Sequence, residues 1–423
     1  MLDIKFIREN IELVKENIKN KNEKADLGEF IELEEKRRVI IKDVEKLKND
    51  RNNASKEIAQ LKKEGKDASN FINEMKVVSD KIKELDDELK LVEKKIFNTI
   101  AFLPNILHQS VPIGRTSEEN QIIRNVGKIN EQKYKENHIE ISKKLGILDF
   151  ERGAKVSGSG FAFYIGKGAT LERALIRFML DYHIEKHGYT EIWSPFMVNK
   201  DSMFGTGQLP KMGNDSYFIN DDEMYLIPTA EVPLTNYHRE DILKIEDLPK
   251  KICGYSPCFR RESGSYGKDV HGFLRVHQFN KVEMVNFSLP ENSYNQLEIL
   301  VGEAEDILKA LEIPYRVILL CSGDTSFSSA KTYDIEIWAA GEQKWLEISS
   351  CSNFDDFQAR RANIRFKRTP NSKPEFVHTL NGSGLATSRL YATILENFVQ
   401  EDGSVSIPEA LRDYCKFDKI ESI

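Results

Sequence analysis

Two stripes of apolar residues, spaced alternately four and three positions apart, run through the N-terminal part of the 423-residue chain. The first stripe runs from Leu33 to Leu61 and is apolar at seven of its nine positions. The second runs from Phe71 to Ile96 and is apolar at all eight. This spacing is typical of helices that pair along one seam, and Gly65 is placed to end the first helix. The short turn between the stripes therefore predicts an antiparallel helical hairpin about 45–50 Å long.

The hairpin carries more positive charge than the rest of the chain. Residues 31–100 hold 17 Lys and Arg against 16 Asp and Glu, whereas the whole chain has a formal net charge of −7. The stretch Lys42–Lys66 holds 8 basic and 5 acidic residues. Mixed charge is ordinary on a solvated coiled coil, so charge alone favours that simpler interpretation. A bare hairpin buries little by itself, however, and its length indicates that it reaches for a large partner.

Length and cysteine content narrow the class of protein. A chain of 423 residues is expected to form two domains, which we place at residues 1–110 and 111–423, since Pro104 and Pro112 mark the end of the hairpin. The five cysteines show no CxxC spacing, so we expect neither a disulfide framework nor a zinc site, but a reducing, cytoplasmic compartment. We expect no signal peptide and no membrane span, because the N-terminus is charged throughout and the apolar runs are short.

The second domain is expected to be an α+β domain built on an antiparallel sheet. Short segments with strand-like patterns, such as Lys281–Phe287 and Tyr333–Trp338, are separated by Gly, Pro and Asp. Helical periodicity runs through Ala169–His187, and Gly188 is expected to end that helix. Strands and helices do not alternate regularly, and the sequence contains neither a Walker A nor a GxGxxG motif. A doubly wound parallel sheet is therefore not expected.

The segment Cys258–Glu283 concentrates the residues that indicate chemistry. It places Arg260 and Arg261 before a Gly-rich turn and Arg275 after it. Planar guanidinium groups match phosphate oxygens bidentately, so arginines on both sides of a loop suit a bent polyphosphate. The aromatic ring of Phe279 can cover a purine. An exposed charged hairpin is the simpler alternative for such a segment taken alone.

Four further segments favour a phosphate-binding site over an exposed charged hairpin. They are Glu191–Lys211, Tyr225–Asn236, Trp345–Arg361 and His378–Asn397, the last interpreted as a Gly-rich loop that leads into a helix. With Pro195, the FRRE…RVHQF segment and GLATSR, the chain resembles motifs 1, 2 and 3 of class II aminoacyl-tRNA synthetases. It resembles the bacterial type of seryl-tRNA synthetase in five segments, in the order GTGQLPK, PTAEVPLTN, HQFNKVE, EISSCSN and HTLNGSGLA. The resemblance covers essentially the whole chain.

The resemblance implies a class II catalytic domain with an antiparallel β-sheet and helices, preceded by a tRNA-binding domain with a two-helix coiled-coil arm. It implies an enzyme that activates L-serine with ATP and Mg²⁺ to seryl-adenylate and transfers the serine to tRNA(Ser). Whether tRNA(Sec) is also charged stays open. It further implies a homodimer with motif 1, near Glu191–Val198, in the interface. The arm would lie across the long variable arm of the tRNA, which is recognition of RNA shape and backbone.

Roles for individual residues also follow from the resemblance. Catalysis is assigned to Arg260, Arg275 and Arg389, which would hold the phosphates of a bent ATP. The other ATP contacts are assigned to Arg261, Glu262, Val276, Phe279, Glu347, Ile348, Ser349 and Ser350. The serine contacts are assigned to Thr229, Ala230, Glu231, Glu283 and Ser383. The Mg²⁺ ligands, which supply hard oxygens, are Glu347 and Ser350. The tRNA contacts are assigned to exposed basic residues of the arm, namely Lys42, Lys46, Lys56, Lys62, Lys63 and Lys66.

Two pairs of residues depart from the family pattern. Val270-His271 stands where Thr-Arg is more usual in the motif 2 loop. Thr387-Ser388 stands where Val-Gly is more usual before Arg389. The reaction rate and the contacts to the tRNA acceptor end are therefore in doubt, although the arginines and glutamates of the motifs are retained.

Two other functions stay open on the sequence alone. A ligase of this fold can activate serine for a carrier protein or a small molecule, but such relatives usually lack the arm. The third interpretation is a coiled-coil scaffold or RNA-binding module on an inactive fold, and the retained Arg260, Glu283 and Arg389 argue against it. Serine-dependent exchange of pyrophosphate into ATP separates an enzyme from a scaffold.

Overall fold

The chain divides into two compact units. The structure is a computed structural model and describes residues 1–129, 136–263 and 272–421. The first unit comprises Met1–Lys19 and Glu23–Pro104, and the second comprises Asn20–Asn22 and Asn105–Ile423. Across the described residues, no helix combines the length and the apolar character that crossing a membrane requires.

The first unit is helical, and two of its helices are long. They follow one another as α1 (Ile4–Glu9), α2 (Ile11–Asn20), α3 (Gly28–Lys63) and α4 (Ser69–Ile100). α3 has 36 residues and α4 has 32, so at 1.5 Å per residue they extend about 54 and 48 Å. α3 and α4 pack against each other, and the predicted helical arm is confirmed.

The two predicted apolar stripes form the contact between α3 and α4. Every stripe position is buried or partly buried except Phe71, which is 37% exposed near the turn. The polar stripe residue Arg37 donates to Glu93 of α4 at 3.0 Å, and Lys48 pairs with Asp86 at 3.3 Å. Exposed ion pairs contribute little free energy, so the apolar seam supplies most of the stability of the hairpin.

The turn between α3 and α4 depends on one glycine. Gly65 has a φ of +68°, a left-handed conformation that residues with a Cβ rarely adopt. Its N–H donates to the carbonyl of Lys62 at 3.3 Å, which satisfies one of the last free carbonyls of α3. The helix therefore ends where the sequence predicts.

The second unit contains the strands. In chain order they are β1 (Gln121–Val126), β2 (Leu148–Asp149), β3 (Phe163–Tyr164), β4 (Thr190–Glu191), β5 (Met197–Asn199), β6 (Phe218–Ile219), β7 (Met224–Leu226), β8 (Ile242–Lys244), β9 (Lys250–Phe259), β10 (Gln278–Ser288), β11 (Tyr315–Leu319), β12 (Lys331–Ala339), β13 (Lys344–Asn353), β14 (Arg365–Lys367), β15 (Glu375–Phe376), β16 (His378–Ala386), β17 (Val405–Ser406) and β18 (Lys419–Ile420).

Helices lie between these strands. They are α5 (His138–Leu145), α6 (Phe150–Ser157), α7 (Lys167–His187), α8 (Lys200–Gly205), α9 (Glu231–Asn236), α10 (Ser293–Ala310), α11 (Phe357–Ala362), α12 (Thr387–Asn397) and α13 (Glu409–Cys415). Gly188 follows α7 with a φ of +72°, so the predicted end of that helix is confirmed.

Within the described residues, eight strands form one large sheet in the order β1-β11-β12-β13-β16-β10-β9-β4. Neighbouring strands are antiparallel except at the edge, where β4 runs parallel to β9. The predicted α+β fold on an antiparallel sheet is confirmed. Smaller sheets join β5-β7-β6 and β15-β14-β8.

Helices α7, α10 and α12 contribute to the apolar core on one face of the large sheet. Leu171, Leu300 and Leu390, one from each helix, are 0% exposed and belong to the same apolar cluster as Val282 of β10. Because side chains alternate along a strand, the residues on either side of Val282 point to the opposite face. That opposite face is where polar residues can gather without entering the core.

The sequence predicted a loop for the Gly-rich segment before α12, and this prediction is wrong. The segment forms strand β16 at the centre of the sheet. Its glycines make room for neighbouring side chains. A Cβ on Gly382 would lie 2.8 Å from Sγ of Cys351, and one on Gly384 would lie 2.5 Å from Nε2 of His183. Glycine inside a strand therefore marks close approach here, and not a turn.

Replacing Gly384 by alanine is expected to destabilise the second unit by about 1–3 kcal/mol, because the new methyl group overlaps the buried His183 ring. Gly302→Ala is the matched control, since a Cβ on this α10 residue meets nothing within 4 Å. Alanine there should stabilise the helix by about 0.5–1 kcal/mol. Thermal unfolding followed by circular dichroism measures both changes, and equal melting temperatures for the two variants would contradict this account of β16.

Candidate active site

A cleft in the second unit brings together most of the residues that the sequence assigns to ATP. Its lining consists of Arg260, Glu262, Leu274, Arg275, Val276, Phe279, Lys281, Glu347, Ile348, Ser383, Ala386, Ser388 and Arg389. Leu274, Lys281 and Ala386 were not among the residues singled out in the sequence. The lining comes from three neighbouring central strands, β10, β16 and β13, from the start of α12, and from the segments that directly follow β9 and directly precede β10.

A β-bulge in β13 sets the two predicted metal ligands on one face. The register with β12 shifts between Ile335 and Glu336, and Ile348 of β13 is the extra residue. In a regular strand, residues three positions apart, such as Glu347 and Ser350, point to opposite faces. The extra residue restores them to the same face, which is a common use of bulges near active sites.

A second bulge acts in the same way where β10 meets β16. Lys281 is opposite Ala386, whereas Glu283, two positions further on, is opposite Ser383. Three positions of β16 therefore match two of β10, and both Ser383 and Ala386 line the cleft. Gly384 lies within this bulge, where its missing side chain allows the close packing described above.

Alternate residues of β10 place an aromatic ring, a cation and a carboxylate along one line. The ring of Phe279 lies 5.2 Å from the guanidinium carbon of Arg260. Lys281 Nζ lies 2.5 Å from Glu283 Oε2, and both side chains are almost completely buried. Lys281 was missed in the sequence, although its spacing of two residues from Phe279 and Glu283 was a signal for a shared face.

Hydrogen bonds fix two of the cleft arginines, Arg275 and Arg389. Arg275 donates from Nη1 to Oε2 of Glu262 at 2.7 Å. Glu262 has a φ of +50°, a strained conformation for a residue with a side chain, and such strain is often found at functional sites. Arg389 donates from Nη1 to the carbonyl of Glu347 at 2.7 Å and from Nε to the carbonyl of Leu274 at 3.3 Å. Both guanidinium groups are therefore held in place by protein contacts.

Buried carboxylates lie next to the cleft. Thr229 donates to Glu283 at 3.0 Å, and Gln358 donates to Glu231 at 2.6 Å. Burial, helped by the negative charge of Glu283, raises the pKa of Glu231 to about 7. Gln358 was missed, because nothing in its local sequence relates it to Glu231. Ala230 belongs to an apolar cluster and is 0% exposed.

Some of the predicted ATP residues lie outside the cleft lining. Arg261 is exposed, and its guanidinium carbon lies 5.9 Å from the ring of Tyr217. Ser349 is buried and donates to the carbonyl of Ser383 at 2.7 Å, so it ties β13 to β16. The departure at Val270-His271 falls outside the described residues.

The oxygen donors around Ser350 fit a divalent cation. Asp334 of β12 lies directly opposite Ser350, and Glu347 is on the same face. Oδ1 of Asp334 is buried and has no hydrogen-bond partner among the described residues. Burial and the charge of Glu347 hold the pKa of Asp334 well above its usual range. Carboxylate and hydroxyl oxygens are the ligands that Mg²⁺ prefers, so this donor set suits the ion.

The departure at Thr387 is matched by partners in the structure. Its hydroxyl lies 2.5 Å from Oε1 of Glu172, to which it donates, and 3.1 Å from the carbonyl of Asn280. The side chain of Asn280 donates to the same Glu172 oxygen at 2.7 Å. Burial raises the pKa of Glu172 to about 7. Thr387 therefore joins α7, β10 and α12 behind the cleft, and the neighbouring Ser388 lines the cleft itself.

An antiparallel sheet with Arg260 directly after β9, Arg275 just before β10 and Arg389 near the start of α12 is the arrangement of a class II aminoacyl-tRNA synthetase. Residues 217–398 match the family described as the tRNA synthetase class II core domain (G, H, P, S and T). Residues 1–107 match the seryl-tRNA synthetase N-terminal domain.

Relatives that match over the whole chain identify which class II synthetase family the chain resembles. A serine–tRNA ligase from Caldicellulosiruptor saccharolyticus is 58% identical over 422 residues, which is 100% of both chains. One from Chloroherpeton thalassium is 55% identical over 420 residues, 98% of each. The solved seryl-tRNA synthetase from Pyrococcus horikoshii, complexed with ATP, is 40% identical and matches with a TM-score of 0.94 over 100% of both chains. The chain belongs to the seryl-tRNA synthetase family.

Thr387→Val should reveal the buried Glu172 through pH. The pKa of Glu172 in the folded chain, about 7, lies above the ordinary value of 4.5, so the free energy of unfolding falls as pH rises between these values. Valine removes a donor to the carboxylate, which raises the pKa further. The variant should therefore lose stability mainly at higher pH, by about 1.4 kcal/mol for each unit of additional pKa shift.

Urea unfolding at pH 5.5 and pH 8 measures this difference. Thr393→Val in the same helix is the matched control, since the Thr393 hydroxyl is buried without a hydrogen-bond partner in the described part of the chain. Its effect should be the same at both pH values. A Thr387→Val effect that does not depend on pH would contradict the coupling to Glu172.

Proposed function

We propose that the cleft joins serine to ATP as seryl-adenylate and then passes the serine to tRNA(Ser). The observation that carries this proposal is the position of three arginines, Arg260, Arg275 and Arg389, on the same cleft and next to the buried carboxylates of Glu231 and Glu283. The arginines suit an anionic polyphosphate, and the carboxylates suit an ammonium group. The ATP complex of the Pyrococcus horikoshii relative supports the same use of the site.

The first step is the attack of the serine carboxylate on the α-phosphorus of ATP. A carboxylate oxygen forms a bond to this phosphorus, the bond to the β-phosphate oxygen breaks, and pyrophosphate leaves. Both reactants are anionic, so the protein contributes position and positive charge, and no protein nucleophile is needed. Arg260 is placed to neutralise the α-phosphate and the carboxylate. Arg275 and Arg389 are placed to hold the γ-phosphate of a bent ATP, with Phe279, Val276 and Glu262 at the adenine.

Mg²⁺ belongs to this proposal. Glu347 and Ser350 would hold it, and the buried oxygen of Asp334 would add negative charge on the same face. When bound, the ion would neutralise part of the negative charge of the phosphates. The backbone of Ile348, the extra residue of the bulge, gives the two ligands their shared direction.

The serine pocket would use the carboxylates and hydroxyls beside β10. Glu231 is placed to pair with the α-ammonium group, and Glu283 with Ser383 to bind the serine hydroxyl. Thr229 holds Glu283 at 3.0 Å, so that carboxylate does not need to reorganise. Alanine would leave these polar groups unpaired, which can reject an analogue by about 10⁴–10⁵-fold.

The pH dependence of serine binding tests the role of Glu231. Its pKa is about 7, so below that pH serine must displace a proton before the ammonium group can pair with the carboxylate. The KM for serine should rise by up to about tenfold for each pH unit below 7 and level off above it. Pyrophosphate exchange between pH 6 and 8.5 measures this profile.

Two variants make that test specific. Glu231→Gln should raise the KM for serine and remove its pH dependence. Glu172→Gln is the matched control, because Glu172 has a similarly raised pKa but pairs with Thr387 and Asn280. The control should keep the wild-type slope. A serine KM of the wild-type chain that does not change between pH 6 and 8 would exclude this role of Glu231.

The helical arm is proposed to bind the tRNA backbone. The six lysines assigned to this contact are all exposed on or just beyond α3, namely Lys42, Lys46, Lys56, Lys62, Lys63 and Lys66. Exposed lysines attract phosphates strongly and with little dependence on sequence. Charging of tRNA(Sec) stays a prediction, as does the cytoplasmic location, which agrees with five cysteines that are all free and buried thiols in the described ranges.

Homodimer formation is proposed through motif 1. β4 is the edge strand of the large sheet, and it leads directly into Trp193, which is 71% exposed, and Met197, which is 49% exposed. Large apolar side chains next to an open sheet edge are typical of a surface that a second chain covers. The partner would lie on the side of β4.

Transfer of labelled serine to total tRNA, measured beside serine-dependent pyrophosphate exchange, tests the whole proposal. The wild-type chain should show both activities. Glutamine at the six arm lysines should raise the KM for tRNA by about tenfold or more and weaken its salt dependence, because phosphate contacts are lost. Pyrophosphate exchange should be unchanged. Arginine at the same six positions is the matched control and should keep transfer. Exchange without transfer in the wild-type chain would instead indicate a carrier ligase.

A further inference from the structure

A buried histidine connects the two segments that carry Arg275 and Arg389. His138 is the first residue of α5 and is 0% exposed. Its Nδ1 lies 2.8 Å from Oε1 of Glu396, which is also 0% exposed and lies near the end of α12. The same carboxylate accepts the backbone N–H of His138 at 3.0 Å and that of Gly341 at 2.9 Å. The start of α5 is therefore fastened to the motif 3 helix.

The other ring nitrogen holds the motif 2 segment. The backbone N–H of Phe273 donates to Nε2 of His138 at 3.2 Å. Because Nε2 accepts this bond, the ring proton must sit on Nδ1, where it is donated to Glu396. Both nitrogens are thus engaged in hydrogen bonds. These bonds explain why His138, Glu342 and Glu396 lie close together, and a metal ion is not needed to explain it. Phe273 lies two residues before Arg275.

The backbone at Gly272 packs closely against the His138 ring. Gly272 has a φ of +66°, and a Cβ there would lie 2.4 Å from Nε2 of His138. The backbone before Phe273 therefore runs directly against the imidazole ring. The next residue, Phe273, stacks its ring on that of Tyr391 of α12, with the ring centroids 5.9 Å apart. Arg389, at the opposite end of α12 from Glu396, donates to the carbonyl of Leu274.

We propose that His138 is a positioning residue for ATP, which sets the distance between Arg275 and Arg389 by holding Phe273 and Glu396 at once. This rests on the proposed function of the two arginines as ligands of the γ-phosphate. His138 itself is 0% exposed and is not among the residues that line the cleft. Its contacts are to the motif 2 return and the motif 3 helix, and none is to the serine residues Glu231 or Glu283. The effect should therefore fall on ATP and not on serine.

Two substitutions separate the two hydrogen bonds. His138→Gln places an amide oxygen near the position of Nε2, so it can still accept from Phe273, and its backbone N–H can still donate to Glu396. His138→Asn reaches only to the position of Nδ1, so it can donate to Glu396 but leaves the Phe273 N–H without an acceptor. Ile141→Val, a small cavity in the same helix at a residue that is 1% exposed, is the control for loss of stability alone.

Pyrophosphate exchange with varied ATP and varied serine is the measurement, with the melting temperature of each variant beside it. His138→Asn should raise the KM for ATP about tenfold with the KM for serine unchanged, since one hydrogen bond is worth about that factor. His138→Gln should restore the KM for ATP to within about threefold of wild type. Ile141→Val should lower the melting temperature without changing either KM.

Other results would overturn the positioning role. If the KM values for ATP and serine rise together in His138→Asn, or if the asparagine and glutamine variants behave alike, His138 only supports the fold. If the variants lose melting temperature and keep both KM values, the same conclusion holds. Absence of exchange in the wild-type chain would refute the proposed function instead, so the two failures are distinguishable.

Discussion

The direction of side chains along the central strands is the constraint on which the cleft depends. A regular antiparallel strand offers only every second residue to one face, and the sheet needs the other face for its apolar core. Two bulges, at Ile348 and around Gly384, break this alternation at adjacent strands. Each brings residues three positions apart onto the polar face while the core on the other side stays continuous. The cleft is therefore densely polar at the centre of a sheet whose opposite face is packed.

Charge is the second organising feature, and it is balanced only in part by the protein. Lys281 pairs with Glu283 and Arg275 with Glu262, so these groups are held without a ligand. Glu231 has an uncharged amide partner in Gln358, and its carboxylate is costly to ionise where it lies. A ligand that brings a cation to this point gains the interaction that the protein leaves unmade. The unfavourable burial of the Glu231 carboxylate therefore favours the binding of a cationic group at this point.

Local sequence patterns predict what depends on local physics. The seam of the arm, the turn at Gly65 and the end of α7 at Gly188 all follow from periodicity and glycine conformation, and all three agree with the structure. Register shifts depend on the partner strand, so neither bulge is visible in the sequence. The same reason explains why β16 resembled a loop and why Asp334 and Gln358, which approach the cleft from distant segments, were missed. Lys281 is different, because its spacing along β10 carried the necessary signal.

Buried polar side chains behind the sheet link the segments whose residues meet in the cleft. Glu172 of α7 accepts from Asn280 of β10 and Thr387 of α12, and His138 of α5 joins Glu396 to the segment before Arg275. Such groups cost free energy to bury, and the hydrogen bonds that they make offset part of this cost. Apolar packing alone tolerates small shifts between helix and sheet. Directional hydrogen bonds do not, and a site that works by placing guanidinium groups against phosphates requires that stricter control.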